Sequence, residues 1–348
     1  MHYAKFIALL LVIVLPGVGW SQATYDATAP GILSDVQINQ GQNNLQGQGG
    51  RAGGYAWYTL TTPNFQRSRC GGVTTGGKDF WVIGGETPTG LRVAQVEKWT
   101  RTLNTWTVSS SSMPSPVSNI SGSVVHENGL FYVFGGLESG DVMIDWIQVY
   151  DPVADTWSVH PTPMPAARYG VGAANLGGGK ILVCGGADLL FAYGDSWIFD
   201  VATGTFTAGP PMPVEDFNIS ITARPNPADG RVYLTGIRTD TYLQIYDPGT
   251  ASFSIGPVFA SGPTSSRAGC GLINIDQHVI IYGGDWLNYR ADVEIYDCGL
   301  GGGSCVPLVG LDMAEARRSF AYGDTPCPGA LASNGFNGAY MQHAEGAR

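Results

Sequence analysis

Short apolar runs closed by glycine recur along this 348-residue chain, and that recurrence restricts its fold more than any other feature. Four runs end in a glycine pair: Phe80 to Gly85, Phe131 to Gly136, Ile181 to Gly186 and Val279 to Gly284. A degenerate copy, Val232 to Gly236, falls between the last two. Counted from the final glycine of each, the steps are 51, 50, 50 and 48 residues. Periods of this length mark arrays of one supersecondary unit, each too small to bury its own apolar faces and therefore stacked on its neighbours.

Other residues keep the same register. After each glycine marker comes a strand ending in an aromatic, usually followed by Asp: Trp99-Thr100, Tyr150-Asp151, Phe199-Asp200, Tyr246-Asp247 and Tyr296-Asp297. A second aromatic follows at Trp106, Trp157, Phe206 and Phe253, and Met-Pro closes units at Met113, Met164 and Met212. Paired glycines let the backbone turn where a Cβ would clash. Asp with a following Pro or Gly makes a tight turn into an outer strand. Each unit therefore reads as a four-stranded antiparallel blade. In these residues the chain resembles the kelch repeat family, over about residues 63 to 313. The resemblance implies an all-β fold, a kelch-type β-propeller.

Five units are complete, and a sixth begins at Arg317 to Tyr322, with Gly335 falling 51 residues after Gly284. That last unit lacks an outermost strand. Tyr55 to Pro63 aligns with Thr156 to Pro163, so the expectation is a six-bladed propeller over residues 55–348 whose N-terminal strand closes the last blade. Closure removes the exposed edges that an open stack would leave.

The first residues read as a secretory signal over 1–23: Lys5, the apolar run Phe6 to Leu15, and small residues Ser21 and Ala23 at the cleavage positions. That run is short of the roughly 20 residues needed to span a bilayer, and no later segment reads as a membrane span. Residues 24–54, rich in Gly, Gln and Asn, read as a polar extension. The expected location is secreted, extracellular or periplasmic. A formal net charge of −10 argues against nucleic-acid binding, which needs a basic face to displace counterions.

For function, an arginine series stands out: Arg69, Arg168, Arg267 and Arg317 at the entries to first strands. The resemblance implies that such arginines line the channel mouth and grip acidic side chains, a task that suits the planar guanidinium. The expected ligand is a protein or an anion, either an acidic peptide or a carboxylated sugar. The loops between second and third strands form another candidate, with Glu86, Glu138, Asp141, Asp188 and Asp285 beside Phe191, Trp286 and Tyr289. There the expectation is that the charges solvate the loops and the aromatics fold back over blade ends. No nucleophile triad, phosphate loop or metal-ligand spacing is present. A binding module is therefore expected rather than an enzyme, with no catalytic residue, no metal and no cofactor. The alternative is a sugar mutarotase acting on a carboxylated monosaccharide such as sialic acid.

Six cysteines, an even number, suit an oxidising compartment. Cys298 and Cys305 flank a glycine-rich loop and are expected to form a disulfide, and Cys184 a buried thiol. Either Cys70 or Cys270 is a candidate partner for Cys327. Asn119 and Asn218 head Asn-Ile-Ser sequons and are candidate glycosylation sites, at positions read as equivalent to the arginines.

Overall fold

The computed structural model describes residues 9–12, 56–75, 79–260, 266–300, 305–307, 312–313, 315–325, 329–337, 339 and 341–347. Six antiparallel sheets follow one another around a ring. The first blade comprises Gly71–Thr75, Asp79–Ile83, Glu97–Thr100 and Thr105–Val108, from axis to rim. Four further blades repeat this order, with innermost strands Val124–Glu127, Gly172–Gly177, Ser220–Ile221 and Gly271–Ile275.

The last blade takes Ala321–Thr325, Gly329–Ser333 and Ala344–Ala347 from the C-terminal end. Its fourth strand is Ala56–Thr59, with Trp57 opposite Ala347 and Thr59 opposite Glu345. The two ends of the chain thus close the ring in one sheet. Trp57 packs its ring 5.4 Å from that of Tyr282 in the neighbouring blade, which seats the closing strand. Leu9–Val12, inside the expected leader, adds a fifth strand alongside Ala56–Thr59. The expected extension, 24–54, lies outside the described residues.

The spacing of the aromatics is explained by hairpin pairing. Trp99 lies opposite Trp106, Tyr150 opposite Trp157, Phe199 opposite Phe206 and Tyr246 opposite Phe253. The last three pairs hold ring centroids 4.8 to 4.9 Å apart. Cross-strand aromatic pairs of this kind are what stabilise a two-strand unit. Apolar side chains from adjacent sheets then interleave; Val125, Phe134, Ile181 and Phe199, for instance, share one buried cluster between the second and third blades.

The glycine pairs take up left-handed backbone, as at Gly84 (φ 61°) and Gly85 (φ 89°). In the last blade Asn334 (φ 64°) and Gly335 (φ 110°) adopt the same geometry. Asn is one of the few other residues that tolerates it, so this blade turns correctly without a glycine pair.

The expected Cys298–Cys305 disulfide is absent. Both are buried thiols in one apolar cluster with Tyr233, Leu243 and Val279. Burial pushes each thiol up to about 12, so neither is a ready thiolate for exchange. Cys184 is a buried free thiol, as are Cys70 and Cys270. Cys327 lies outside the described residues.

Candidate functional site

The entry segments carry a left-handed residue at one register position in every blade: Arg69, Asn119, Gly170, Asn218, Gly269 and Ser319. This position corrects the register of the arginine series. Two residues before it stand Arg67, Val117, Arg168, Asp216, Arg267 and Arg317. Arg69 is therefore not equivalent to the other three; Arg67 is. The sequons correspond to Arg69, not to the remaining arginines.

Three of the four expected ligand arginines are buried in ion pairs. Arg267 holds Glu294 at 2.6 Å and Asp292 at 2.8 Å, and donates to the Gly283 carbonyl. Arg317 pairs with Glu345 and donates to the Asn334 carbonyl. Arg168 grips both oxygens of Asp195, with its guanidinium 4.0 Å from the centroid of Tyr193 and 4.8 Å from that of Trp197. Arg67 repeats the arrangement with Glu97 and the Gly84 carbonyl. The open cluster of guanidiniums expected at the channel mouth is not present. A buried guanidinium needs a carboxylate and carbonyls to offset its desolvation, and these four blades supply them from the third strand or the residue before it and from the turn that follows the second strand.

Arg69 is the exception. Its amide donates to the Ser319 carbonyl at 2.7 Å, and its own carbonyl accepts from Ile120. Further inter-blade bonds, Gly170 to Asn119 and Ser319 to Gly269, continue this belt around the axis. The Arg69 side chain stays 32% exposed beside Glu86, 6.0 Å from the centroid of Trp286. Asn119, in the same belt, is buried. The inter-blade bond from Gly170 uses the Asn119 main-chain carbonyl, and Asn218 is half-buried.

The carboxylates of the second-to-third strand loops are mostly structural. Glu86 bridges Arg69 and Arg92. Asp188 accepts from the amides of Leu190 and Phe191 at 2.7 Å each and from the Tyr193 hydroxyl at 2.6 Å. These bonds hold its carboxyl below the usual range, the Tyr193 hydroxyl contributing most. Asp285 caps Leu287 and Asn288 in the same manner. Trp286, Tyr289 and Phe336 fold over the guanidinium of Arg318, with Trp286 closest at 3.6 Å. In blades three and five, then, an Asp organises a tight loop around itself.

Those loops lift apolar side chains into solvent. Leu189, Leu190, Phe191 and Leu287 are 61 to 81% exposed, and Leu91, Val142 and Trp146 are exposed on the corresponding loops of the first two blades. Phe191 departs from the expectation that the loop aromatics fold back, which Trp286 and Tyr289 follow over Arg318. The leucines were not singled out, although an apolar residue directly after a loop Asp was the available signal.

The opposite end of the axis holds a cavity of about 180 Å³ walled by the innermost strands. Its polar groups satisfy one another: Asp324 accepts from Arg224 at 2.6 Å and Thr74 at 2.9 Å, while Asn274 donates to the Arg224 carbonyl. Tyr322 closes it below, its hydroxyl reaching across from the last blade to the Ile221 backbone. Among the described residues no group of His, Cys, Asp and Glu is placed to hold a metal ion.

No protein-family model matches the chain. It is similar to beta-scruin from Limulus polyphemus, 33% identical over 124 residues that make up 34% of this chain and 13% of that protein. It is also similar to Kelch-like protein 35 from Mus musculus, 28% identical over 174 residues, 48% of this chain and 27% of that protein. The matches thus span well under a third of either relative.

Proposed function

We propose that this chain, a kelch-repeat β-propeller, is a protein-binding module that takes its partner on the face built by the second-to-third strand loops and the entries between blades. One observation carries the reading. Of thirteen exposed large apolar side chains among the described residues, seven lie on those loops. The other end of the blades carries two, Leu103 and Val153 on third-to-fourth strand turns, and its first-to-second strand turns carry none among the described residues. Apolar groups gathered on one face of a folded domain mark a contact surface, whereas scattered ones need no explanation. The kelch-repeat relationship supports a protein as the partner.

The anionic ligand and the carboxylated sugar both drew on open arginines at the channel mouth. With Arg168, Arg267 and Arg317 buried in ion pairs, neither is the favoured reading. The module is placed outside the cytoplasm on the strength of Lys5, the apolar run after it and Ser21 to Ala23. No helix among the described residues is long and apolar enough to cross a membrane.

The test compares crosslinked captures by the wild-type chain, by Leu190→Asp with Phe191→Asp, and by Asn128→Asp at the opposite end. Partners shared by the first and third and lost from the second support the reading. Identical captures by all three overturn it.

A further inference from the structure

The exposed apolar groups are unevenly distributed around the binding face. Val142 and Trp146 of the second blade and Leu189, Leu190 and Phe191 of the third occupy adjacent sectors, with no comparable run among the described residues of the fourth or sixth. Backbone bonds tie the two sectors together: Met164 donates to the Asp145 carbonyl and Arg168 to that of Ile144. The tip at Leu190 and Phe191 is held outward by the Asp188 carboxylate, so its exposure is a fixed feature of the loop. A pre-set apolar tip loses little conformational freedom on contact.

Charge in these sectors is one-sided. On the described part of the loop face the basic groups are arginines, and those nearest the rim are paired: Arg92 with Glu86, Arg238 with Glu215, Arg290 with Asp292. The acids outnumber them. Among the described residues Asp141 and Asp145 have no basic partner within ion-pair distance, and Asp188 spends its oxygens on amides and a hydroxyl, with Arg168 nearby but ion-paired to Asp195. Burial raises the Tyr169 hydroxyl above its ordinary range, and Asp188 and Asp141 from neighbouring blades add to that against the opposing charge of Arg69.

We infer that blades two and three recognise a protein segment with apolar anchor residues flanked by Lys or Arg. The inference rests on the protein-binding reading above and specifies its partner. Apolar anchors supply the contact energy at the Leu190–Phe191 tip. Basic flanks supply orientation and encounter rate through the unpaired carboxylates. An acidic segment would meet like charge at Asp141, Asp145 and Asp188.

Two synthetic peptides test it, each with a Leu-x-x-Phe core, one flanked by Lys on both sides and the other by Glu. Fluorescence anisotropy with the full chain should show the Lys-flanked peptide binding at least about tenfold more tightly at low salt, the gap narrowing as ionic strength rises. Asp141→Asn with Asp145→Asn should shrink that gap and leave the Glu-flanked affinity unchanged or improved. Asn suits the left-handed backbone of Asp141 (φ 60°), so this variant keeps the loop. Leu190→Ala with Phe191→Ala should abolish binding of both peptides. Equal or tighter binding of the Glu-flanked peptide overturns the inference, as does a gap indifferent to the Asn variant. Failure of both peptides while the Leu190–Phe191 substitutions still remove captured partners overturns the basic-apolar segment alone and leaves the protein-binding reading standing.

Discussion

Arg267 Nη2 lies 2.6 Å from Glu294 Oε1, and both side chains are fully buried. The same two register positions hold Arg67 with Glu97 and Arg317 with Glu345 in the first and last blades. Where the arginine is missing, the acid is missing too. Val117 in the second blade stands with Gln148, whose amide satisfies the Ser115 backbone at 2.8 Å in both directions. Asp216 in the fourth blade stands with Gln244, which does the same for Val214. A buried acid at the third-strand position is thus met by an arginine of its own blade, as burial at low dielectric requires; the third blade has Trp197 there and Arg168 turns to Asp195, while the buried Asp216 is held by backbone amides and the Thr239 hydroxyl instead of a cation.

That matching gives a stability prediction. Arg267→Val alone should cost about 3–5 kcal/mol, because Glu294 is left buried without its partner. The double change Arg267→Val with Glu294→Gln, which copies the second blade, should recover most of that loss. Urea melts of the single and double variants measure the coupling.

The pH dependence should include a histidine contribution. Burial and the neighbouring Arg317 lower His343 to about 3 from an ordinary value near 6.5. His126 and His278 are lowered as well, both chiefly by burial. Below about pH 6.5 the unfolded chain binds protons that the folded chain refuses, so stability falls as pH drops through this window. Each fully shifted histidine contributes up to about 1.4 kcal/mol per pH unit. His343→Gln should flatten the decline between pH 6.5 and 5, read from thermal melts at each pH.

Removing residues 1–23 should leave the propeller folded. Leu9–Val12 adds a fifth strand to a sheet whose five counterparts have four, and Ala56–Thr59 already completes the hydrogen-bonded ladder with Ala344–Ala347. The truncated chain is expected to keep its circular dichroism spectrum and to melt within a few degrees of the full chain. Loss of cooperative melting would show that Leu9–Val12 is an integral strand.

Reducing agent should have no effect on that melt. The five described cysteines are buried thiols, so dithiothreitol has no bond among them to break. Cys298→Ser is expected to cost stability through its polar atom in an apolar cluster, not through a lost crosslink. Thiol titration of native and denatured chain, with peptide mapping, checks both statements.

The repeat was legible because its markers are local. Glycine pairs, hairpin aromatics and Asp turns each act within a few residues of themselves, so their recurrence specified the blade, the blade count and the closing strand, found at Ala56–Thr59. The arginine register was not legible to the same degree. Arg67 and Arg69 are both plausible in the linear alignment, and only the left-handed residue of each entry segment, seen in the backbone, separates them.

By itself, then, the sequence determined the architecture, whose physics is backbone conformation and strand pairing at short range. Burial and pairing were decided in three dimensions. Glu294 meets Arg267 from 27 residues away, and Glu345 meets Arg317 from 28. Those distances turn apparent ligand arginines into internal ion pairs. The Leu190–Phe191 tip points outward because Asp188 folds back onto its own loop amides. Solvent exposure is a property of the packed ring, and no single stretch of chain carries it.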